Sequence, residues 1–186
     1  KYSMPEYLVE KWKAAYGVKT TEKILEDFLT ERPITVRCRT HKASLREIVT
    51  SLKSQGVTVE QAPYLPYALK ISDYNHILTL ETFLQGKILV QDVSSMLVAE
   101  AASPKKGDHI IDMCAAPGGK SIHAADKMGD YGNVDARDVS QYKADLIKEN
   151  IHRTGVINVE ARVQDATVYD PDSEQAADIV IADVPC

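Results

Sequence analysis

Asp112-Met113-Cys114-Ala115-Ala116-Pro117-Gly118-Gly119-Lys120 is the stretch on which the reading of the fold turns. It joins an apolar strand, 109–114, to a segment, 121–128, with the spacing of a helix. Gly118 and Gly119 carry no side chain that would keep a ligand from the backbone. The helix start beyond them offers free N–H groups to an anionic group. A purely structural tight turn is the competing reading of the glycine pair.

Outward from that turn, strand and helix alternate from Lys87 onward, the rhythm of a parallel sheet covered by helices. Strands are expected at 88–90, 109–114, 134–138, 159–163 and 179–183. Helices are expected at 94–102, at 121–128, and from a Ser140 cap to Arg153, with Gly155 closing the last. Asp138, Asp165 and Asp183 fall at successive strand ends, so they converge on one edge of the sheet. An acidic residue ending the second strand of such a unit suits the two ribose hydroxyls of an adenosine cofactor. Each aspartate alone reads as an ordinary loop residue; with the glycine turn they favour a nucleoside site. Neither GxGxxG nor GxxxxGK[ST] is present, which favours S-adenosylmethionine over a dinucleotide or nucleoside triphosphate.

Upstream, residues 1–30 read as a helical segment. One helix opens at Pro5, keeps Leu8, Trp12 and Ala15 on one face and stops at Gly17; a second spans about 21–29. Residues 31–86 read as a small α+β unit, with strands at 33–38, 57–59 and 68–71 and a helix over 44–53. Net charge is -5, yet the acidic excess lies after Lys87, and the first part is mildly basic. RNA is therefore expected on the face carrying Arg32, Arg37, Arg39, Lys42 and Arg46. A purely structural arm is the alternative. With 44% hydrophobic and 26% charged residues the chain has an ordinary globular composition, without an apolar run long enough to cross a bilayer. The first residues lack a secretory signal, so a cytoplasmic location is expected. Cys38, Cys114 and Cys186 are odd in number and never arranged as CxxC, and the histidines are scattered. Neither a disulfide framework nor a metal site is expected.

The nonapeptide 112–120, preceded by Val90-Gln91-Asp92-Val93-Ser94-Ser95 and followed by Ala182-Asp183-Val184-Pro185-Cys186, resembles the Nop/Sun family of RNA cytosine-C5 methyltransferases. The likeness is to the Sun branch, of bacterial RsmB type, which acts on small-subunit ribosomal RNA. Ser3-Met4-Pro5-Glu6-Tyr7-Leu8-Val9-Glu10-Lys11-Trp12, with Tyr16-Gly17, resembles the segment that follows a NusB-like domain in that branch. The resemblance implies an incomplete Rossmann-like methyltransferase sheet preceded by a small RRM-like or ferredoxin-like α+β domain.

It further implies that Cys114, Ala115, Ala116, Pro117, Gly118, Gly119 and Lys120 wrap the methionine part of S-adenosylmethionine. Asp138 would bind the ribose, Asp165 would lie by the adenine, and Asp183 would close the site. In this family a thiolate adds at cytosine C6 so that C5 can take a methyl group. The attacking cysteine sits in a Thr-Cys motif, and the Pro-Cys cysteine assists product release. Cys186 matches the second role, and no Thr-Cys pair occurs in this chain. The resemblance thus implies a C-terminally truncated, inactive piece. A non-catalytic RNA-binding or ribosome-assembly module is one alternative, and a small-molecule or DNA methyltransferase with Cys186 as nucleophile is another.

Overall fold

The computed structural model describes residues 2–30, 32–129 and 131–184. The chain divides into two compact units, one ending at Pro33 and one beginning at Ile34.

The first unit is a pair of helices, α1 (Glu6–Tyr16) and α2 (Val18–Asp27). Gly17, at φ 78°, ends one and begins the other, a conformation that costs glycine little. The second helix therefore starts three residues before the sequence-based expectation. Leu25 and Thr21 are the buried positions of α2, and Trp12 stacks on Phe28 with ring centroids 6.0 Å apart. Ala15, expected inward, is exposed.

The second unit begins with β1 (Ile34–Cys38), α3 (Leu45–Ser54), β2 (Thr58–Gln61), β3 (Ala68–Ser72), α4 (Glu81–Leu84) and β4 (Ile88–Val90). The order β2-β3-β1-β4, with every neighbouring pair antiparallel, is that of a ferredoxin-like sheet. Ser44 starts α3 through a capping box: its Oγ accepts the Glu47 N–H at 3.3 Å, and its own N–H donates to Glu47 at 2.8 Å. Val36, Ile48, Leu52, Ile71 and Ile88, each wholly buried, form the core beneath this sheet.

This pairing corrects one expectation. Ile88–Val90 does not open the parallel sheet; it closes the antiparallel one beside β1, with Arg37 opposite Leu89. A three-residue apolar strand carries no periodicity that tells the two sheets apart. The crossover through α4 decides the matter by returning the chain to the free edge of β1.

The parallel part contains α5 (Val93–Ala102), β5 (His109–Asp112), α6 (Gly119–Met128), β6 (Asn133–Asp138), α7 (Gln141–Thr154), β7 (Val159–Val163) and β8 (Ile179–Ile181). The strands run in the order β7-β6-β5-β8, all parallel. The chain steps outward from β5 to β7 and then returns to the other side of β5, so the strand order reverses at β5. Ligands of open α/β sheets bind at such a reversal, at the carboxyl ends of the strands. Ile110, Val134 and Ala136 pack with Ala124 of α6 and Ile147 of α7. As expected, Ser140 caps α7, accepting the Lys143 N–H at 3.4 Å, and Gly155 ends it in the left-handed region. Three bounds differ from expectation by two residues: β5 ends at Asp112 rather than Cys114, α6 begins at Gly119 rather than Ser121, and β8 ends at Ile181 rather than Asp183; the bounds of α5, β6 and α7 differ by one residue at most.

The two sheets are tied together by buried charge. Asp126 of α6 receives Arg37 Nη1 at 2.6 Å and Arg39 Nη2 at 2.7 Å. Arg39 Nη1 also donates to the carbonyls of Gly86 and Thr154, at 3.1 and 2.6 Å. Arg37 and Arg39 are 2% and 1% exposed, so they are not part of an RNA-facing surface as their position on a basic stretch suggested. Arg37 of β1 and Arg39, one residue past its end, lie on the same side of the chain, which is turned towards α6. No described helix is long and apolar enough to cross a membrane.

Candidate functional site

The turn 113–118 lies at the carboxyl end of β5, held from several sides. Met113 N–H donates to Ile181 at 2.9 Å, Ala115 N–H to Arg137 at 2.8 Å and Gly118 N–H to Ala115 at 2.6 Å. Asn150 of α7 donates to the Pro117 carbonyl at 2.9 Å. Gly118 has φ 98°, and a Cβ there would meet Ile147 Cγ2 at 3.3 Å. A Cβ on Gly119 would touch the Gln91 side chain at 3.7 Å. Both glycines thus serve packing of the turn against α7 and Gln91, as the structural reading of the pair expects.

Two of the three expected carboxylates, Asp138 and Asp183, are drawn to this turn or its flank. Asp138, 3% exposed, accepts from Ala116 N–H at 3.0 Å, Val139 N–H at 2.8 Å and Lys143 Nζ at 3.0 Å. Burial pushes its carboxyl up, but the Ala116 N–H, Lys143 and the Val139 N–H outweigh it and hold it ionised below the usual range. Lys143 is half exposed. A carboxylate offers about four acceptor positions, so with three taken Asp138 keeps one for a ligand's hydroxyl. Asp183 pairs with Lys120 at 2.5 Å. Asp165 stands apart, exposed, with Thr167 N–H and hydroxyl donating to it at 2.9 and 2.7 Å and lowering its pKa. It lines a cavity of about 200 Å³ with Met113, Arg137, Ala166, Val168 and Tyr169. Cys114 is partly buried at the turn, and burial, then Asp138 and Asp112, push its thiol up. Cys186, expected to act in product release, lies outside the described residues.

Asp112 was read from the sequence only as the start of the turn. It is wholly buried; Ser121 Oγ donates to its Oδ2 at 2.6 Å, while Oδ1 has no partner among the described residues. Burial, opposed by the Ser121 hydroxyl, pushes its pKa up to about 6. Lys143 and Gln91 were missed as well. Lys143 was findable, because the third residue of a helix capped at Ser140 stands over the end of the preceding strand. Gln91 gave no such signal: it reaches the site from the other sheet, accepting from Arg37 Nε at 2.8 Å.

With this geometry in hand, the relatives are informative. A model of the 16S rRNA methyltransferase RsmB/F family matches residues 99–186, and one of the RsmF/B-like ferredoxin-like domain matches residues 4–77. A probable ribosomal RNA small subunit methyltransferase B of Bacillus subtilis is 36% identical over 99% of this chain and 41% of its own length. The human 28S rRNA (cytosine(4447)-C(5))-methyltransferase is 29% identical over 100% of this chain and 23% of its own. The crystal structure of PH0851 superposes with a TM-score of 0.81 at 32% identity, covering 100% of this chain and 42% of that one. NSun6 from Pyrococcus horikoshii, solved with SFG, gives 0.75 at 23% identity over 100% of this chain and 71% of that one, a likeness of fold. The chain spans about two-fifths of the length of the bacterial relatives, 41% and 42%.

Proposed function

The chain belongs to the RsmB/F methyltransferase family, matched in both its catalytic fold and its ferredoxin-like part, and on that premise we propose that it carries the S-adenosylmethionine site of a ribosomal RNA cytosine-C5 methyltransferase. The observation that carries the proposal is the convergence of Asp138, the 113–118 turn and the Lys120–Asp183 pair at the strand-order reversal. When bound, S-adenosylmethionine supplies the methyl group. The buried Asp112 and the anionic Asp138 suit its positive charge and its ribose hydroxyls respectively. Residues 114–120 line the methionine end, Asp138 accepts the ribose hydroxyls, and the cavity beside Asp165 takes the adenine. Asp183, drawn in by Lys120, borders the reacting end.

The substrate is RNA of the small ribosomal subunit, the ferredoxin-like domain faces it, and the protein works in the cytoplasm. Cys186 assists product release in this scheme, and the attacking thiol is neither Cys38 nor Cys114. Burial pushes the Cys38 thiol up to about 12 and raises that of Cys114, so neither is a thiolate at neutral pH. Titration calorimetry with S-adenosylhomocysteine tests the cofactor site, and transfer of labelled methyl groups to small-subunit ribosomal RNA by the full-length protein tests the reaction. Absence of cofactor binding would remove the first; methylation of another RNA class or of DNA would redirect the second.

A further inference from the structure

The connection between β2 and β3, 62–67, presents a tyrosine to solvent on a backbone that is otherwise tightly fixed. Tyr64 is 86% exposed and has φ 70°, the left-handed region that L-residues other than glycine and asparagine seldom occupy. The Leu65 N–H donates to the Pro63 carbonyl at 2.9 Å across it, which makes Tyr64 the centre of the rarer, strained kind of γ-turn.

Everything around Tyr64 holds it there. Gln61 Nε2 is shared among the carbonyls of Ala62, Leu65 and Ala68, at 3.0, 3.0 and 2.8 Å. Ala62 and Leu65, on either side, are buried with Ala68 and Met96 of α5. The turn is therefore anchored by its neighbours and its own side-chain clamp, while Tyr64 adds nothing to the core. A glycine would satisfy the backbone at lower cost. Tyr64 carries two costs for folding, a strained φ and an exposed aromatic ring, and no contact among the described residues offsets either.

We infer that Tyr64 is a stacking platform for an unpaired base of single-stranded RNA, an inference that rests on the RNA reading above. The partner chemistry follows from the loop. Pro63 and Pro66 bring no charge, so the tip attracts no phosphate, and what it offers is an aromatic face held in place before binding. Such faces stack nucleobases without much regard to sequence, and only splayed, single-stranded bases are free to join them. The loop is also connected to the cofactor turn. Leu65 packs on Met96 of α5, and Gln91, two residues before α5 begins, lies against Gly119.

The test compares the unaltered chain with Tyr64→Ala, Tyr64→Phe, Tyr64→Trp and Tyr64→Gly for binding of a short, unstructured oligocytidylate RNA and of an abasic ribose-phosphate oligomer of equal length. Tyr64→Ala is expected to lose about five- to a hundred-fold in affinity for the oligocytidylate and to bind the abasic oligomer as the unaltered chain does. Phe and Trp restore the loss. Tyr64→Gly shows the same loss while melting no lower than the unaltered chain, which a merely structural role could not produce. Undiminished binding by Tyr64→Ala, an equal loss on the abasic oligomer, or failure of Phe and Trp to restore affinity overturns the stacking role alone. If the unaltered chain binds neither oligomer, the RNA reading falls and takes the stacking role with it.

Discussion

Arg39 grips Asp126 with two nitrogens, Nε at 2.9 Å from Oδ2 and Nη2 at 2.7 Å from Oδ1, in a setting where the two side chains are 1% and 7% exposed. Arg37 binds the same carboxylate, which stays ionised despite its burial because both guanidiniums hold it so. Removing one cation from such a group leaves charge buried without its full complement, whereas an exposed ion pair contributes little. Arg39→Met is therefore expected to destabilise the fold by about 3–5 kcal/mol. Urea unfolding checks this. A change below about 1 kcal/mol, the scale of surface pairs, would show that the triad is not structural.

Charge reversal at Arg37 or Arg39 should accordingly unfold the protein rather than flatten the salt dependence of RNA binding. Lys42 and Arg46 are exposed, and it is their replacement by glutamine that should reduce the slope of log affinity against log salt, by about 0.7 for each phosphate of a single strand that is no longer neutralised. Filter binding across a salt series measures it; an unchanged slope would take the RNA off this face.

Asp112 makes stability depend on pH in an unusual direction for a carboxyl. Its folded pKa, about 6, lies above the ordinary 3.8, so the folded state binds the proton more tightly. Stability is greatest below the unfolded value and falls as pH rises from about 4 to about 6, after which the cost of the buried anion is constant. Asp112→Asn should flatten this window and raise the melting temperature at about pH 7.5. Melting curves from about pH 4 to pH 8 read it directly, and equal pH profiles for both proteins would contradict the assignment.

Asp138→Ala should weaken S-adenosylhomocysteine binding by about 1.5–3 kcal/mol, roughly ten- to a hundred-fold, because the ribose hydroxyls lose a charged acceptor. The Ala116 N–H loses its partner too, so Asp138→Asn, which keeps one acceptor oxygen, separates the two effects. Calorimetry on both variants should rank Ala below Asn and Asn below the unaltered chain. Equal affinities for all three would remove Asp138 from the site.

Three glycines with positive φ should respond to alanine in a fixed order. At Gly86 the added Cβ would stand 2.5 Å from the Arg153 carbonyl oxygen, at Gly118 it would press on Ile147, and at Gly56 it would meet nothing. The backbone cost, about 1–2 kcal/mol, is common to all three, so the steric clashes set the ranking Gly86→Ala worst and Gly56→Ala mildest. Unfolding midpoints test this, and Gly118→Ala alone should also weaken cofactor binding.

What the sequence made legible were features with local causes. Ser140 and Gly155 bracket α7, Ser44 begins α3, and the nonapeptide at 112–120 marks the strand-to-helix turn where the structure has it. What it hid depends on distant partners. Arg37 and Arg39 alternate along a strand as solvent-facing residues do, and nothing near them shows that Asp126, 87 residues beyond Arg39, lies against that face. Asp112 stands in the motif, yet its raised pKa follows from burial that only the assembled core supplies. Ile88–Val90 is too short to declare its sheet.

The helix α6 begins directly after the 113–118 turn and, seven residues later, holds Arg37 of β1 and Arg39 just past its end with Asp126. Ferredoxin-like and parallel sheets therefore cannot melt independently, since opening either one exposes the same buried charges. Residues 34–184 should behave as one cooperative block with a single calorimetric transition. Chimaeras joined between Gly86 and Lys87 would cut β4 from its sheet and split the Arg39 hydrogen bonds to Gly86 and Thr154 between two parents. Exchange among relatives should succeed only where the arginines, the aspartate and the glycine travel together.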